Sequence, residues 1–534
     1  MPSLIPPEDT QGALDAIAPI LDRAIGHSRG HEIDQQQVAI ARLADIATEL
    51  RAARDLIAYA RDAGEIYREQ AAVFAGLVCS HVTSLVQCNA SEHGLSAADA
   101  PPAAVAEFML RALDEERVRA IGRQVASARG ENDCPLEELF ELTRDAVRDF
   151  AAAEVAPRAE HIHRNDTDLP EELIEKMSEL GYFGLAVPEE FGGSEMGNMA
   201  MIITTEELSR ASLAAAGSLI TRPEILSKAL LVGGTDEQKR SWLPKLASGE
   251  LMVGISVTEP DVGSDAASVK CRAERVTVDG REGWSITGPK AWCTFAGRAD
   301  ILAVLLRTDP DMAKGNRGLS LMIVPKPRFA GHEFEYEQPG GGKLVGKADA
   351  TPGYRGMHSF TLNFENYFVP AENVVGGEAG VGRGFYLQLG GFAAGRLQTA
   401  GRACGLAQAA LCETARYVVD RTQFGVPLLD FQLTQHQLGW MSVKLAAARA
   451  ITYAAALAMD GDARAAAPYA AQAKLIACDM AVEVTQSGQL LFGGWGYAEE
   501  YPISRYVVDA QVLPIFEGVK AIVQLKVIGR SLIS

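Results

Sequence analysis

The amino-acid sequence predicts a mainly α-helical protein with an antiparallel, barrel-like β-domain inserted between helical regions. Two observations carry this prediction. Residues 1–250 and 380–534 are rich in Ala and Leu at helical spacing, whereas residues 251–370 contain short β-type runs separated by Gly, Asp and Pro. The even spacing of these runs favours neighbouring antiparallel strands over βαβ units. The 534 residues give room for about three domains of ordinary size.

The first helical region, residues 1–135, is predicted to be a helical extension to the rest of the chain. Its segment from Gln37 aligns without a gap with the segment from Gln432, and both run through a leucine step to the pattern L-x-A-A-R. The aligned pairs include Leu43 with Leu438, Leu50 with Leu445, and Arg54 with Arg449. Duplication of a C-terminal helical domain and the shared pattern of amphipathic helices both explain this similarity.

Three further domains are predicted after this extension. Residues 136–250 are helical, and Pro170 followed by two glutamates marks a helix start, as does the acidic turn from Asp236. Residues 251–375 form the β-domain. Residues 376–534 return to long helical patterns and are predicted to form a C-terminal helical bundle.

Composition and charge restrict the classes of function. Sixty-nine acidic and 50 basic residues leave a net charge of −19, which disfavours a nucleic-acid partner. The eight cysteines contain no C-x-x-C pair, which favours a reduced, cytoplasmic setting. The N-terminus lacks the features of a secretory signal, and the most apolar helical stretch, 442–458, contains two basic residues and is interpreted as a buried helix rather than a membrane span. His161 and His163 have no third ligand nearby in the sequence, so no metal site is predicted.

Several short motifs follow one another in a specific order. They are TEPDVGSD (258–265), KAWCT (290–294), RTQFG (421–425), LFGGWGY (491–497), EYPI (500–503) and PIFEG (514–518). The first alone is typical of an ordinary turn at a strand end. In order and spacing the set resembles the acyl-CoA dehydrogenase family of flavoproteins, from about Leu136 to the last residue. The family's helical, β and helical domains agree with the periodicity of this chain.

The resemblance implies FAD as the cofactor, bound between the β-domain and the last helical bundle. Periodicity and composition would not suggest a dinucleotide, because the chain has no G-x-G-x-x-G after a strand. The implied cofactor residues are the strand-end pair Val257 and Thr258, the ring-covering Trp292 and Thr294, the segment Arg421, Gln423 and Phe424 that reaches the FAD of a neighbouring subunit, and the close-approach pair Gly493 and Gly494.

Three points qualify this assignment. The family usually has Gln where this chain has Leu490, with Gln489 one position earlier, so one contact on the adenosine side is in doubt. Trp292 is also compatible with an ordinary core position. Arg421 is compatible with a solvated charge at a helix end.

Glu517 is the catalytic base that the resemblance implies. The α-proton of a thioester is weakly acidic, so its removal needs a positioned carboxylate. The neighbours Ile515, Phe516 and Val519 predict an apolar setting, which would raise the pKa of the carboxyl group. An ordinary acid in a first helical turn is the alternative. The second position that some family members use for the base is Gly395 here, which leaves Glu517 without a rival. Val519 and Lys520 depart from the usual Thr after E-G.

Substrate contacts are implied as well. Phe392 and Arg396 match positions that hold the CoA arm, Ser264 matches a contact to its pantetheine part, and Gly518 is assigned to the substrate site. We expect a short, branched acyl chain with a free carboxylate, which needs a buried cation or several donors. Arg222 is the candidate partner of that carboxylate, and a surface helix-cap charge is the alternative.

The remaining expectations concern the acyl chain, the partners and the assembly. The glutaryl-CoA branch of the family carries its arginine where this chain has Ala214-Ala-Ala216, which argues against glutaryl-CoA. The resemblance implies an acyl-CoA substrate and electron-transfer flavoprotein as electron acceptor, with an acyl-CoA oxidase as a chemical neighbour and a non-catalytic scaffold as the alternative class. Family members form tetramers as dimers of dimers. Because residues 1–130 would cover the surface between dimers, we predict a homodimer.

Overall fold

The helices and strands of the computed structural model are defined over residues 3–131, 133–339 and 341–534. The α-helices of these residues are α1 (Pro7–Ser28), α2 (Gln37–Ala63), α3 (Glu65–Asn89), α4 (Ala103–Ala112), α5 (Glu115–Ser127), α6 (Glu138–Phe150), α7 (Ala156–Asn165), α8 (Glu171–Glu179), α9 (Gly197–Ala211), α10 (Thr221–Gly233), α11 (Asp236–Ala247), α12 (Gly384–Asp420), α13 (Gln432–Asp462), α14 (Ala467–Phe492), α15 (Gly494–Tyr497), α16 (Ile503–Ala510), α17 (Lys520–Ile522) and α18 (Arg530–Ile533). The strands are β1 (Val253–Ser256), β2 (Arg272–Val278), β3 (Arg281–Thr294), β4 (Ile301–Arg307), β5 (Leu319–Pro325), β6 (Glu333–Glu337), β7 (Lys343–Ala348), β8 (Ser359–Pro370), β9 (Thr422–Gln423) and β10 (Val426–Pro427).

The chain forms two compact units. Unit 1 contains Met1–Asp145 together with Thr399–Ser534, and unit 2 contains Ala146–Gln398. The two ends of the chain therefore fold together, as expected for helical regions that flank an inserted β-domain. The four domain boundaries read from the sequence stay predictions.

Unit 2 is built on one sheet. Its strand order is β1-β4-β2-β3-β8-β7-β6, with β5 paired to β4. The predicted antiparallel arrangement holds for the long pair β3–β8 and for β6–β7–β8. It is wrong for β1, which pairs with β4 in parallel, because the chain returns to this strand after crossing the β2–β3 hairpin.

Helix-start signals in unit 2 are confirmed. Helix α8 begins at Glu171 directly after Pro170, and α11 begins at Asp236. The start of α11 is a capping box in which Thr235 and Gln238 satisfy each other's backbone amides. The hydrophobic core joins α10 and α11 to the sheet through buried residues that include Leu226, Leu230, Leu243, Leu246, Val253 and Ile323.

Unit 1 packs the N-terminal helices on the C-terminal bundle. Helices α2 and α13 begin at Gln37 and Gln432, the two residues that open the aligned segments. Each is followed by a second long helix, α3 or α14, so the similarity extends to a helical pair. A buried hydrogen bond of 2.7 Å joins Gln70 Nε2 of α3 to Ser442 Oγ of α13. Common origin of the two helical pairs stays a prediction.

One helical segment of the described residues, Glu65–His93, is long and apolar enough by length and composition to cross a membrane. The share of its most apolar window that is buried inside the protein is 61%. This is α3, which packs on α1, α2 and α4, and such packing is typical of a core helix. The stretch 442–458, which the sequence singled out as most apolar, lies in α13 and is largely buried, as predicted.

Candidate active site

The residues predicted to bind cofactor and substrate divide between the two units. Unit 2 holds Val257, Thr258, Ser264, Trp292, Thr294, Arg222, Phe392 and Arg396, and unit 1 holds Arg421, Gln423, Phe424, Gly493, Gly494, Glu517 and Gly518. Each set is described within its own unit below.

The strand-end pair Val257 and Thr258 follows β1 and is fixed from beneath by a buried ion pair. Lys290 Nζ donates to Val257 O at 3.0 Å and lies 3.0 Å from Glu259 Oε1. Ala291 N donates to Thr258 O at 2.8 Å. Burial lowers the pKa of Lys290, and the carboxylate of Glu259 opposes that shift. The sequence motifs contained Lys290 and Glu259, but their role appears only when the two strand ends come together.

Trp292 is held on the surface of the sheet by an irregularity in β3. The register between β3 and β8 shifts between Lys290 and Cys293, and Trp292 has a left-handed backbone with φ +58°. Its side chain is 58% exposed, so the core position considered for it is wrong. The exposed indole offers an apolar face on which a planar ring can stack.

Thr294 lies two residues further along the same strand. Its side chain is buried, and its Oγ1 lies 3.0 Å from Ser359 Oγ of β8. Trp292 therefore provides an exposed indole ring, and Thr294 provides a hydroxyl group that is fixed by a hydrogen bond. Both features fit an isoalloxazine ring, which can stack on the indole and bond to the hydroxyl group.

Arg222 lies in the first turn of α10 and is only 5% exposed, so the surface helix-cap alternative is wrong. Its Nη2 donates to the hydroxyl of Tyr354 at 3.3 Å. Tyr354 is buried and has φ +60°, a conformation that non-glycine residues rarely adopt. A buried guanidinium must be matched by acceptors or anions, which makes this position suited to a substrate carboxylate. Tyr354 escaped the sequence analysis because nothing near it in the chain points to Arg222.

The predicted contacts of the CoA arm lie on helix α12 and in the loop after β1. Phe392 and Arg396 are one helical turn apart, so they share a face of α12, and both side chains are partly exposed. Gly395 lies beside them and carries no carboxylate. Ser264 is exposed in the loop between β1 and β2.

Glu517 lies in a tight turn before α17 and is held in place by two buried cations. Its φ is +53° and that of Gly518 is +101°. Lys474 Nζ of α14 donates to Gly518 O at 2.6 Å, and the Arg402 guanidinium of α12 lies 4.8 Å from the ring centre of Phe516. Both cations are fully buried. Neither cation was predicted from the sequence, because a buried Lys or Arg in a long helix has no distinctive local pattern.

The predicted apolar enclosure of Glu517 is wrong for the described chain. Ile515 is 61% exposed, and Val519 also lies on the surface. The Glu517 side chain is itself partly exposed, because the turn directs the neighbouring apolar side chains outward. Lys520, the other departure from the family pattern, pairs with Asp479 of α14 at 2.6 Å.

The segment RTQFG forms a small projecting hairpin after α12. Strands β9 and β10 pair Gln423 with Val426, and the turn residues Phe424 and Gly425 have φ of +53° and +84°. Phe424 is 94% exposed. Arg421 is exposed at the end of α12 beside a cavity of about 340 Å³. An aromatic side chain displayed in this way is typical of a segment that contacts another molecule.

Gly493 and Gly494 connect α14 to α15. Gly493 has φ +61°, and a Cβ atom built on either glycine would meet nothing within 4 Å. Their backbone therefore faces open space and can be approached closely by a ligand. Leu490 is 74% exposed, and Gln489 Nε2 donates to Gly496 O at 3.0 Å. Gln489 thus holds the glycine turn.

Comparison with protein families gives three matches in sequence order. The acyl-CoA dehydrogenase N-terminal domain matches residues 137–250, the middle domain residues 254–367 and the C-terminal domain residues 382–533. Residues before 137 lie outside these ranges.

Individual proteins are similar over the same region. A (2S)-methylsuccinyl-CoA dehydrogenase of Cereibacter sphaeroides is 40% identical over 399 residues, which cover 74% of this chain and 70% of that protein. A 3-(aryl)acrylate reductase of Clostridium sporogenes is 33% identical over 390 residues, or 73% of this chain and 97% of that protein. The solved structure of butyryl-CoA dehydrogenase from Megasphaera elsdenii has a TM-score of 0.67 and 30% identity, covering 76% of this chain and all of that one, 100%.

Proposed function

The chain belongs to the acyl-CoA dehydrogenase family of FAD-dependent oxidoreductases, and from that premise we propose that it oxidises (2S)-methylsuccinyl-CoA to mesaconyl-CoA. The similarity to a methylsuccinyl-CoA dehydrogenase supports this substrate, since 40% identity extends over 399 residues. The proposal includes a place in the ethylmalonyl-CoA route of acetate assimilation and a cytoplasmic location.

The burial of the Arg222 side chain is the observation on which the proposed substrate rests. Methylsuccinyl-CoA has a free carboxylate at the end of a short, branched acyl chain. A buried guanidinium oriented by Tyr354 provides the cation that such a carboxylate needs when it leaves water. An uncharged acyl chain of similar size would place apolar atoms, rather than a carboxylate, against that guanidinium. The same residues would therefore disfavour other short branched acyl-CoA esters.

The proposed reaction removes one proton and one hydride equivalent from adjacent carbons. Glu517 takes the proton from the α-carbon, and the electron pair of that C–H bond becomes part of the new C=C bond. Bound FAD supplies the acceptor for the hydride that leaves the β-carbon. Val257, Thr258, Trp292 and Thr294 of unit 2 would hold FAD. The family resemblance also implies that Gly493 and Gly494 of unit 1 contact a FAD molecule.

Glu517 fits the role of base because the two residues that flank it are held in place. Lys474 holds Gly518 O and Arg402 holds the ring of Phe516, so both flanking residues are anchored. Phe392 and Arg396 on α12, with Ser264 and Gly518, are proposed to hold the CoA ester.

Electron-transfer flavoprotein is proposed to reoxidise the enzyme, and the enzyme is proposed to be a homodimer. Helix α13, which belongs to the C-terminal bundle, is covered in unit 1 by α5, α2 and α3. Because these helices already pack on α13, the proposal is that this face of α13 makes no contact between dimers. Reoxidation by molecular oxygen would instead classify the enzyme as an acyl-CoA oxidase.

An anaerobic titration of the purified yellow protein tests the proposal. Methylsuccinyl-CoA, added up to one equivalent per flavin, should bleach the flavin absorption. Isovaleryl-CoA, which is branched and uncharged, should bleach it poorly. A protein that stays yellow with every acyl-CoA would support a non-catalytic scaffold. Equal bleaching by both esters would support a different short-chain acyl-CoA dehydrogenase.

Variants of Arg222 separate the carboxylate contact from general damage. Arg222→Ala should lower kcat/KM for methylsuccinyl-CoA about 30-fold or more, the equivalent of ~2 kcal/mol, because a buried charge loses its partner. Arg222→Lys keeps the charge but not the planar fork and should fall between wild type and Arg222→Ala. Equal losses for methylsuccinyl-CoA and isovaleryl-CoA would remove Arg222 from this role.

A further inference from the structure

A cluster of two histidines and two aspartates lies in unit 2 among residues that the proposed reaction does not use. Asp166 follows α7, His332 precedes β6 and His358 precedes β8, so three separate segments meet here. One ligand atom from each of these three residues lies within 4.8 Å of the others. The ring centres of His332 and His358 are 4.3 Å apart.

The spacing of the first two ligand atoms matches a tetrahedral metal ion. His358 Nε2 and Asp166 Oδ1 are hydrogen-bonded at 3.1 Å, and a metal ion bound between them would take the place of the proton that they share. Two ligand atoms bound to one zinc ion at about 2.0–2.1 Å lie roughly 3.3 Å apart when the geometry is tetrahedral. His332 is exposed, so rotation of its side chain can bring a ring nitrogen to the same point without disturbing the core.

Asp168 orients the imidazole of His358. Its Oδ1 lies 3.4 Å from His358 Nδ1, and its Oδ2 accepts a hydrogen bond from Gly331 N at 2.6 Å. With Nδ1 facing Asp168, Nε2 is directed at the other side of the ring, where Asp166 lies and where a metal ion would replace the Nε2 proton. A carboxylate, a histidine and a metal ion arranged in this order are a recurrent feature of zinc sites.

Backbone strain marks the same two residues. Asp166 has φ +53° and His358 has φ +38°, and neither is a glycine. Such conformations cost stability and tend to persist where a functional arrangement requires them. Here they direct the two side chains toward each other from separate loops.

Arg355 is the charged neighbour that competes for Asp166. Its Nε lies 3.5 Å from Asp166 Oδ1, a long ion pair. Arg355 also donates to Thr351 O at 3.2 Å and to His163 O at 3.1 Å. Because these carbonyl groups already anchor the guanidinium, Asp166 can turn to a metal ion without leaving Arg355 unsatisfied.

We propose that Asp166, His332 and His358 bind a divalent zinc-type metal ion, that Asp168 positions His358 for it, and that the ion ties the loop after α7 to the β-sheet. Two imidazoles and one carboxylate suit zinc, cobalt or nickel rather than magnesium or calcium, which prefer oxygen ligands. The site is structural and independent of the flavin chemistry. No local sequence pattern predicts this site, because its ligands come from three separate segments; the pair His161 and His163 is not part of it.

Metal titration of the full-length, FAD-loaded enzyme tests this site. The protein is freed of any affinity tag, treated with EDTA, desalted and titrated with zinc chloride by calorimetry, with magnesium chloride as a parallel titration. We expect one zinc ion per chain and no binding of magnesium. Cobalt chloride should give the visible absorption of a tetrahedral site.

Three variants assign the ligands. His332→Ala should abolish stoichiometric binding while folding normally, since His332 is exposed. Asp168→Asn should weaken binding about tenfold or more, the usual effect of losing the partner of a ligating histidine. His161→Ala is the matched control, since His161 is an exposed histidine of α7 that the proposal does not count among the ligands, and it should bind zinc as wild type does.

Thermal unfolding gives a second readout that does not depend on activity. Zinc should raise the Tm of wild type and of His161→Ala but not that of His332→Ala. Failure of wild type to bind zinc would overturn the proposal, and so would unchanged stoichiometric binding by His332→Ala.

Discussion

Three side chains that the sequence assigned to the active site, Trp292, Phe424 and Glu517, share an uncommon backbone conformation. Their φ values are +58°, +53° and +53°. Left-handed backbone at non-glycine residues costs about 1–3 kcal/mol each and is concentrated at functional sites. In each case the side chain is at least partly exposed, so a ligand can contact it.

Replacement of the proposed base tests the role of Glu517 at the residue scale. Glu517→Gln keeps the size of the side chain, and Lys474 and Arg402 still hold Gly518 O and the ring of Phe516, so the turn should keep its fold and FAD should stay bound. The rate of flavin reduction by substrate should fall about 10²–10⁴-fold, because proton abstraction loses its carboxylate. Anaerobic stopped-flow absorbance measures this rate.

Glu500→Gln is the control for this prediction, since Glu500 is an exposed acid in the same unit. Substrate should reduce the flavin of Glu500→Gln at the wild-type rate. If the flavin of Glu517→Gln is reduced by substrate at the wild-type rate, the base is another residue.

At the scale of elements, helices α5 and α13 approach each other closely through glycine. A Cβ atom on Gly122 would overlap the carbonyl group of Gln435, and one on Gly439 would overlap the carbonyl oxygen of Val118. The two helices therefore meet backbone to backbone at this crossing. This contact attaches the N-terminal region to the C-terminal bundle.

Alanine substitutions on α13 test that contact. Gly439→Ala should lower the free energy of unfolding by about 1–3 kcal/mol, because the added methyl group overpacks the crossing. Gly461→Ala lies on the same helix, where an added Cβ meets nothing within 4 Å. It should change the stability by no more than about 1 kcal/mol, in the stabilising direction. Urea unfolding followed by circular dichroism compares the two, and equal effects would contradict a tight crossing.

The pair of α2 and α3 contains a titratable contact. His81 Nδ1 lies 2.6 Å from Glu49 Oε2, and this hydrogen bond raises the pKa of His81 above the ordinary histidine value of 6.5. Burial and Lys444 oppose the shift, while Asp45 supports it. Since the folded pKa lies above the unfolded one, the contribution to stability is complete below pH 6.5 and is lost as the pH rises through the folded pKa.

His81→Gln therefore should lower Tm more at about pH 6 than at about pH 8. Glu49→Gln should show the same pH dependence relative to wild type, because it removes the partner. A Tm difference between wild type and variant that is equal at both pH values, or larger at the higher pH, would contradict a stabilising contact between protonated His81 and Glu49. Differential scanning calorimetry in buffers of matched ionic strength measures it.

At the scale of the whole molecule, the chain joins its two ends into one unit. Tyr469 of α14 donates to Asp55 of α2 at 2.6 Å, and Gln524 donates to Asp45 at 2.7 Å. A small apolar cluster of Ala44, Ala471, Leu475, Val523 and Ile528 lies between the same elements. The N-terminal helices thus cover surface of the C-terminal bundle that would otherwise be available to a partner.

This cover predicts the assembly. The enzyme should have a mass in solution of two chains, twice the chain mass of 57.1 kDa, in size-exclusion chromatography with light scattering. The physical reason is that the face of α13 is already buried within its own chain. A mass of four chains across a range of protein concentrations would contradict this prediction.

Much of the fold was predictable because its signals are local. The start of α8 after Pro170 and the apolar runs of β4 and β5 depend on neighbouring residues only. Strands β6 and β7 were not predicted, since their sequences EFEYE and KLVGKA carry many charged residues. Their pairing with β8 overrides that weak local preference.

The sequence by itself determined the family, the FAD cofactor and the identity of the motif residues, because these depend on residue types in a fixed order. Only the tertiary structure decided which groups hold those motifs: Lys290 beneath Val257, Lys474 beside Gly518, and Tyr354 beside Arg222. These partners are 33, 44 and 132 residues apart. Burial and hydrogen bonding depend on how distant segments pack, and no local pattern of residues contains that information.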